Sequence, residues 1–436
     1  MYRNNIKNLI KWKLDNHKKP LVFLGARQVG KTWLIQEFGK TEYRQMAYIN
    51  FERAAALREM FLPDLDVKRL ITNFELYSNL KITPEDTLIV LDEIQAAPHG
   101  ITSLKYFCED APEYQIIAAG SLLGISLHEN ESFPVGKVDF LELRPMSFYE
   151  FLLAMNENGL ARILDEKLWT ALPSFTEKFK EFLRYYFYVG GMPEVVAHFA
   201  EHRDWKMARQ LQNKILKTYR SDFSKHAPKE IVPRINLVWD SIPAQLAKEN
   251  KKFIYGVIKE GARAKDFELA IQWLVDSGLL HKIYSVSKPA LPLVAYQELS
   301  AFKLYHNDMG LLGAMSRLNA KTLINGNDVF TEFKGALTEQ FVFQQLRLDE
   351  NLSVYYFPFD KSKYEIDFVI QNENDDIIPI EVKAGENLQA KSFKLFCEKY
   401  KPNTAIRTSL SDFRQESWMT NVPLYIIGDY LSEKQL

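Results

Sequence analysis

Gly25 to Thr32 read GARQVGKT, so a lysine and a hydroxyl directly follow a loop bounded by glycines. Glycines let such a loop fold tightly enough to aim its backbone N–H groups at an anion. On the spacing G-x-x-x-x-G-K-[ST], the backbone of Gly25, Ala26, Arg27, Gln28, Val29 and Gly30 would cradle phosphates. Lys31 would reach the β- and γ-phosphates and Thr32 would ligate Mg²⁺, with a following helix adding its dipole. Asp92 and Glu93 end the apolar run LIVL, where carboxylates emerge at the ligand-facing rim of a parallel sheet. Asp92 would complete the Mg²⁺ shell, while Glu93 would orient and deprotonate an attacking water. That second carboxylate favours hydrolysis over transfer to an acceptor. Ser121, after QIIAAG, either senses the γ-phosphate and water or caps a helix. Arg27, Lys137 and Arg144 either stabilise transition-state charge or serve at the surface.

A second constellation lies near the C-terminus. YEIDFVI, the polar NENDD and IIPIEVK read as a hairpin carrying Asp367, Glu381 and Lys383. Alternation along a strand puts Glu381 and Lys383 on one face, and Glu339 on a preceding helix would add a third carboxylate. This is the layout of PD-(D/E)xK nucleases, in which carboxylates such as Asp367 and Glu381 bind divalent metal and a lysine positions water. Ile366 stands where that motif has proline. The other reading is a solvated or mutually paired sheet face, in a module without catalysis. Arg203 to Arg234 hold nine Lys or Arg against three Asp or Glu, a net +6. Arg209, Lys214, Lys217 and Arg220 recur at near-helical spacing and Tyr219 would stack on a base, unless this is simply a solvated helical face.

The elements that must position these groups are legible in outline. Strands are expected at Leu21–Leu24, Tyr48–Phe51, Leu88–Leu91, Gln115–Ala119 and Val138–Leu143, with helices between them. Unbroken apolar runs suit strands covered on both faces, as in a parallel α/β sheet. Residues 147–230 read as helical, interrupted at Gly190–Gly191 and Pro193. KDFELAIQWLVDSGLL carries a helical apolar stripe, and SKPALPLVAYQEL reads as loop or edge strand. A helix from about Thr331 to Leu348 precedes strands at Val354–Phe359, Tyr364–Ile370, Ile377–Lys383 and Pro423–Ile427.

At 436 residues the chain has room for roughly two to four domains. Its 55 basic and 56 acidic residues balance to −1, which excludes a wholly basic nucleic-acid coat but not a local basic face. Cys108 and Cys397 form no disulfide or zinc pattern and suit a reducing cytosol. No apolar run approaches the ~18 residues needed to span a membrane, and the basic N-terminus reads as an amphipathic helix. A cytoplasmic location is the expectation.

GARQVGKT, LIVLDEIQ, AAGSLLG, LRPMSFYEF, YVGGMPEVV, FKLYHNDMGLL and EIDFVI…IIPIEVKAG together resemble a family of prokaryotic AAA-type ATPases. That family has an ASCE-class P-loop core and a C-terminal restriction-endonuclease-like domain of uncharacterised function. The resemblance implies an α/β fold: a P-loop parallel-sheet ATPase core at 1–180, a helical and winged-helix-like middle at 181–324, and a mixed α/β nuclease-like domain at 325–436. It implies ATP and Mg²⁺ as ligands. DNA or RNA, a second copy of the chain or another protein would be further partners, with no membrane. The family's usual Gly-Arg before Leu-x-Pro-x-Ser-Phe is Gly136–Lys137 here; lysine replaces the charge of an arginine finger but not its bidentate fork.

Overall fold

The computed structural model describes residues 1–120, 123–126, 133–248, 252–320, 331–349, 351–359, 364–385 and 391–434. These separate into two compact units, Tyr2–Arg144 with Asp276–Leu279, and Pro145–Val275 with Leu280–Leu436.

The first unit is a five-stranded sheet with helices between its strands. In chain order it contains α1 (Asn5–Leu14), β1 (Leu21–Leu24), α2 (Lys31–Glu42), β2 (Gln45–Asn50), α3 (Val67–Ser78), β3 (Thr87–Asp92), α4 (Gly100–Asp110), β4 (Gln115–Ala119) and β5 (Asp139–Glu142). All pairings are parallel and the order is β2-β3-β4-β1-β5. Every residue of β3 and β4 is buried, as their continuous apolar runs require when both faces are covered. The helices pack through narrow stripes: Leu34, Ile35 and Phe38 on α2, Leu70 and Phe74 on α3, Leu104 and Phe107 on α4. Phe74 and Phe107 stack at 6.2 Å. Burying each such ring contributes roughly 1.5–3 kcal/mol.

The second unit begins helical. A helix at Thr176–Val189 stops at Gly190, whose φ of +73° suits glycine, and Pro193 opens the next helix at its first turn. A Cβ on Gly190 would lie 2.4 Å from Asp308 Oδ1. Gly191 N donates to Asp308 Oδ2 at 2.6 Å, and the other oxygen accepts from Leu311 N to cap a short helix. So YVGGMP and YHNDMGLL, far apart in sequence, meet in one buried joint.

An eight-stranded mixed sheet completes this unit. It contains β6 (Leu280–Val286), β7 (Gln297–His306), β8 (Ser353–Phe359), β9 (Tyr364–Gln371), β10 (Ile377–Val382), β11 (Ile406–Ser409), β12 (Arg414–Gln415) and β13 (Thr420–Pro423), in the order β12-β13-β11-β10-β9-β8-β6-β7. The hairpin β6–β7, read from sequence as part of the middle region, extends the C-terminal sheet through the β6–β8 pairing. Pro423–Ile427 is not one strand: β13 ends at Pro423, then a 3₁₀ turn leads into a helix at Ile427–Lys434. Its apolar residues are buried either way, so burial alone does not select strand. Among the described residues no helix is long and apolar enough to cross a membrane.

The buried joint makes the fold sensitive to pH. Asp308 N donates to His306 Nδ1 at 3.0 Å, and burial lowers the His306 pKa to about 3. The unfolded imidazole titrates near 6.5, so between those values the unfolded chain binds the extra proton and stability falls on acidification. Burial raises Asp308 to about 6, an opposite contribution that is present at low pH and lost as pH rises through that value. Comparing wild type with His306→Asn isolates the histidine. Wild type should lose about 1.4 kcal/mol more per pH unit than the variant in chemical denaturation between pH 6 and 4. Parallel profiles would contradict this.

Candidate active site

β1 ends at Leu24 and the chain enters the glycine-bounded loop with Gly25 at φ +137°. A Cβ there would meet Leu143 O at 2.2 Å, so no side chain fits. Gly30, at φ +96°, leads into α2 without a side-chain cap, leaving the first-turn N–H groups to the loop's concavity. Lys31 Nζ donates to Gly25 O at 2.6 Å and Ala26 O at 2.9 Å, lying back across the loop. Thr32 is exposed on the first turn of α2.

Arg3 fastens the loop from outside. It is buried and donates through Nη1 to Val29 O at 2.7 Å and through Nη2 to Arg144 O. On the next helix face Asn5 Nδ2 donates to Glu142 O at 3.1 Å. Nothing in the loop motif announces these partners, which lie twenty or more residues away.

Asp92 pairs in register with Asn50, across from β2. Tyr48 Oη and Asn50 Nδ2 both donate to Asp92 Oδ2, the latter at 2.9 Å. Burial raises the Asp92 pKa, while these donors hold it down. The spacing of Tyr48 and Asn50 in QMAYIN was the available signal, since alternate strand residues share a face. Glu93 follows in a left-handed conformation at φ +52°, and Gln95 Nε2 donates to its Oε2 at 2.5 Å. Gln95 is a further neighbour that sequence reasoning did not single out.

Burial lowers the Lys31 pKa to about 8, against the opposing charges of Glu93 and Asp92. A triphosphate would return it to full protonation. ATP binding at pH 8 should therefore take up roughly half a proton, visible in calorimetry as heats that depend on buffer ionisation enthalpy. Heats independent of buffer would contradict a lysine poised in this way.

Ser121 lies outside the described residues. Lys137 is half exposed and paired with Glu109 at 2.9 Å, Arg144 pairs with Glu142 at 2.6 Å, and Arg27 is half buried in the loop. The donor set suits Mg²⁺: a hydroxyl at Thr32 and a carboxylate at Asp92 are hard oxygen ligands.

In the second unit the hairpin β9–β10 forms antiparallel as expected and brings Asp367 beside β10, where its Oδ2 accepts from Val382 N at 2.7 Å. Glu381 Oε1 lies 2.6 Å from Lys383 Nζ. Glu339, on the helix Thr331–Leu346, accepts from Tyr305 Oη at 3.1 Å. A residue not foreseen is Lys303 of β7, whose side chain is 0% exposed and pairs with Glu365 and, at 3.9 Å, Glu339. Among the described residues no three His, Cys, Asp or Glu are arranged to hold a metal ion. The carboxylates face lysines instead, so the residues present do not fit a divalent cation.

The basic stretch forms the helix Trp205–His226. Tyr219 is buried there against Trp239, so its expected stacking on a base is corrected: its ring belongs to the core. Arg209 lies over the Tyr188 ring and donates to Leu318 O at 3.0 Å, while Lys214 pairs with Glu194 and Arg220 with Asp240. Lys217 is exposed.

Three family profiles match the chain: an AAA domain over residues 17–152, a domain of unknown function (DUF8612) over 180–322, and a domain of unknown function (DUF4143) over 334–427. Comparison with curated proteins finds no match. Among solved structures, the Walker-type ATPase PABY2304 of Pyrococcus abyssi is similar at 12% identity, covering 72% of this chain and 95% of its own, with a TM-score of 0.44. The Orc1 protein of Aeropyrum pernix in complex with DNA is similar at 14% identity, covering 73% and 93%, with a TM-score of 0.29. Cdc6p of Pyrobaculum aerophilum is similar at 13% identity, covering 74% and 92%, with a TM-score of 0.28. Likenesses this distant carry no weight here. The sheet, the phosphate loop and the matched profile agree among themselves: residues 17–152 are a P-loop domain of the AAA type.

Proposed function

We propose that this chain is a Mg²⁺-dependent ATPase whose C-terminal region binds a partner without cutting it. The observation that carries the first part is Lys31, buried at the mouth of the loop within the electrostatic reach of Asp92 and Glu93. Gly25 to Gly30 would hold the phosphates through backbone N–H groups, and Lys31 would move from Gly25 O and Ala26 O to phosphate oxygens. Thr32 and Asp92 would hold Mg²⁺, which when bound supplies charge neutralisation between phosphates. Glu93, oriented by Gln95, would accept the proton of the attacking water. Hydrolysis would then switch partner binding, as nucleotide-driven switches do.

The competing reading is cleavage of DNA or RNA through Glu339, Asp367, Glu381 and Lys383. The pairing of Glu339 with Lys303 and of Glu381 with Lys383 supports binding without cleavage. The test incubates the full chain with ATP, Mg²⁺ or Mn²⁺ and a panel of DNA and RNA. ATP turnover without strand cleavage is expected; metal-dependent cleavage lost in Glu381→Ala would overturn the non-cutting assignment. Retention of nucleic acid that weakens steeply with salt would make nucleic acid the partner, and a flat response would point to protein.

A further inference from the structure

Lys303 sits between Glu365 and Glu339, with Asp367 and Glu381 on the adjoining hairpin β9–β10. Its side chain is wholly buried, its Nζ pairs with Glu365 and lies 3.9 Å from Glu339 Oε2, and it stands 4.8 Å from the Tyr356 ring centroid. Asp367 acts on the same ammonium through its charge. Glu381, on the neighbouring strand, is buried and interacts electrostatically with Glu339 and Glu365. These carboxylates come from a helix and two strands, so only the folded sheet brings them together.

An isolated buried ammonium is costly, and so is each isolated buried carboxylate. Burial by itself would lower the Lys303 pKa; Glu365, Glu339 and Asp367 more than offset that, so the group stays charged. Lys383 answers Glu381 in the same way. The Tyr305 hydroxyl occupies the Glu339 oxygen nearest Lys303.

We infer that Lys303 is a built-in counter-ion that takes the place of a divalent cation among Glu339, Glu365, Asp367 and Glu381, so that this cluster is closed to metal in the native chain. The inference deepens the non-cutting reading of the C-terminal region: a site whose central positive charge is a tethered ammonium cannot activate water as a metal does. Without the ammonium, Glu365 and Glu339 lose their counter-ion while Asp367 and Glu381 stay nearby, and uncompensated carboxylate charge with hard oxygen donors is what draws Mn²⁺ and Mg²⁺.

The experiment titrates Mn²⁺, with no nucleotide present, into the full-length wild type, Glu381→Gln, Lys303→Met, and Lys303→Met combined with Glu381→Gln. Calorimetry and thermal melting are the readouts. Wild type should show no Mn²⁺ site that Glu381→Gln removes. Lys303→Met should gain one, with Mn²⁺ raising its melting temperature by ~2–4 °C or more at saturating ion, and the double variant should lose the gain. A Glu381-dependent Mn²⁺ site in wild type overturns the inference. So does a folded Lys303→Met that takes up no Mn²⁺, although that outcome leaves the non-cutting reading standing, since only strand cleavage removes it. Should Lys303→Met fail to fold, the wild-type titration decides alone, and Lys303→Arg, which keeps the charge, must remain free of Mn²⁺.

Discussion

Lys31→Ala should bind ATP at least roughly 100-fold more weakly than wild type and show no measurable turnover. The ammonium would make two or more charge-assisted hydrogen bonds to phosphate, each contributing about 1.5–3 kcal/mol, and 1.4 kcal/mol is tenfold in affinity. The fold should survive, because β1 and α2 are held by the buried side chains of Phe23, Leu34, Ile35 and Phe38. The Arg3 clasp on Val29 O and Arg144 O also remains. An unchanged circular dichroism spectrum beside lost nucleotide binding is therefore the expected pair of results. Wild-type affinity in this variant would remove the loop from the site.

The second large effect separates chemistry from binding. Glu93→Gln keeps the size and most hydrogen bonding of the side chain and removes its capacity to accept a proton. Turnover should fall by roughly 10²–10⁴, the usual contribution of a general base. ATP affinity should stay within about threefold of wild type, because Glu93 follows the strand rather than lining the loop. A variant that lost binding and turnover together would show Glu93 supporting the pocket instead of the reaction. One that lost neither would show that water is activated elsewhere.

Much of this site was legible because its parts are local. Gly25 to Thr32 combine a positive-φ turn, a helix start and two reactive side chains within eight residues, and Asp92–Glu93 end an unbroken apolar strand. What was not legible depends on which distant segment packs where. Arg3 carries no signal for the loop it clasps, and its role appears only when α1 lies beside that loop. Tyr219 has the right spacing for the basic face, but helical periodicity does not say which of two neighbouring stripes faces Trp239. Lys303 reads as one polar residue in FKLYH; only the β6–β8 pairing, across some seventy residues, sets it among carboxylates. For the same reason the hairpin β6–β7 looked like part of a separate middle region.

Sequence alternation did locate Asp367, Glu381 and Lys383 on a hairpin, and the hairpin formed. Residue types in the right order still do not make a metal site. The local pattern specifies the carboxylates and Lys383, whereas the buried ammonium that compensates Glu365 and Glu339 comes from Lys303 on β7. A neutralising lysine and a divalent cation satisfy the same electrostatic demand, and strand spacing does not distinguish them.

The most direct test of the central claim is phosphate release from MgATP by the full-length chain, measured beside equilibrium ATP binding for wild type and Glu93→Gln. Wild type should release phosphate steadily, and the variant should bind ATP almost as wild type does with release reduced at least roughly 100-fold. Release at the wild-type rate from Glu93→Gln, or binding without any release by the wild type, would contradict that claim.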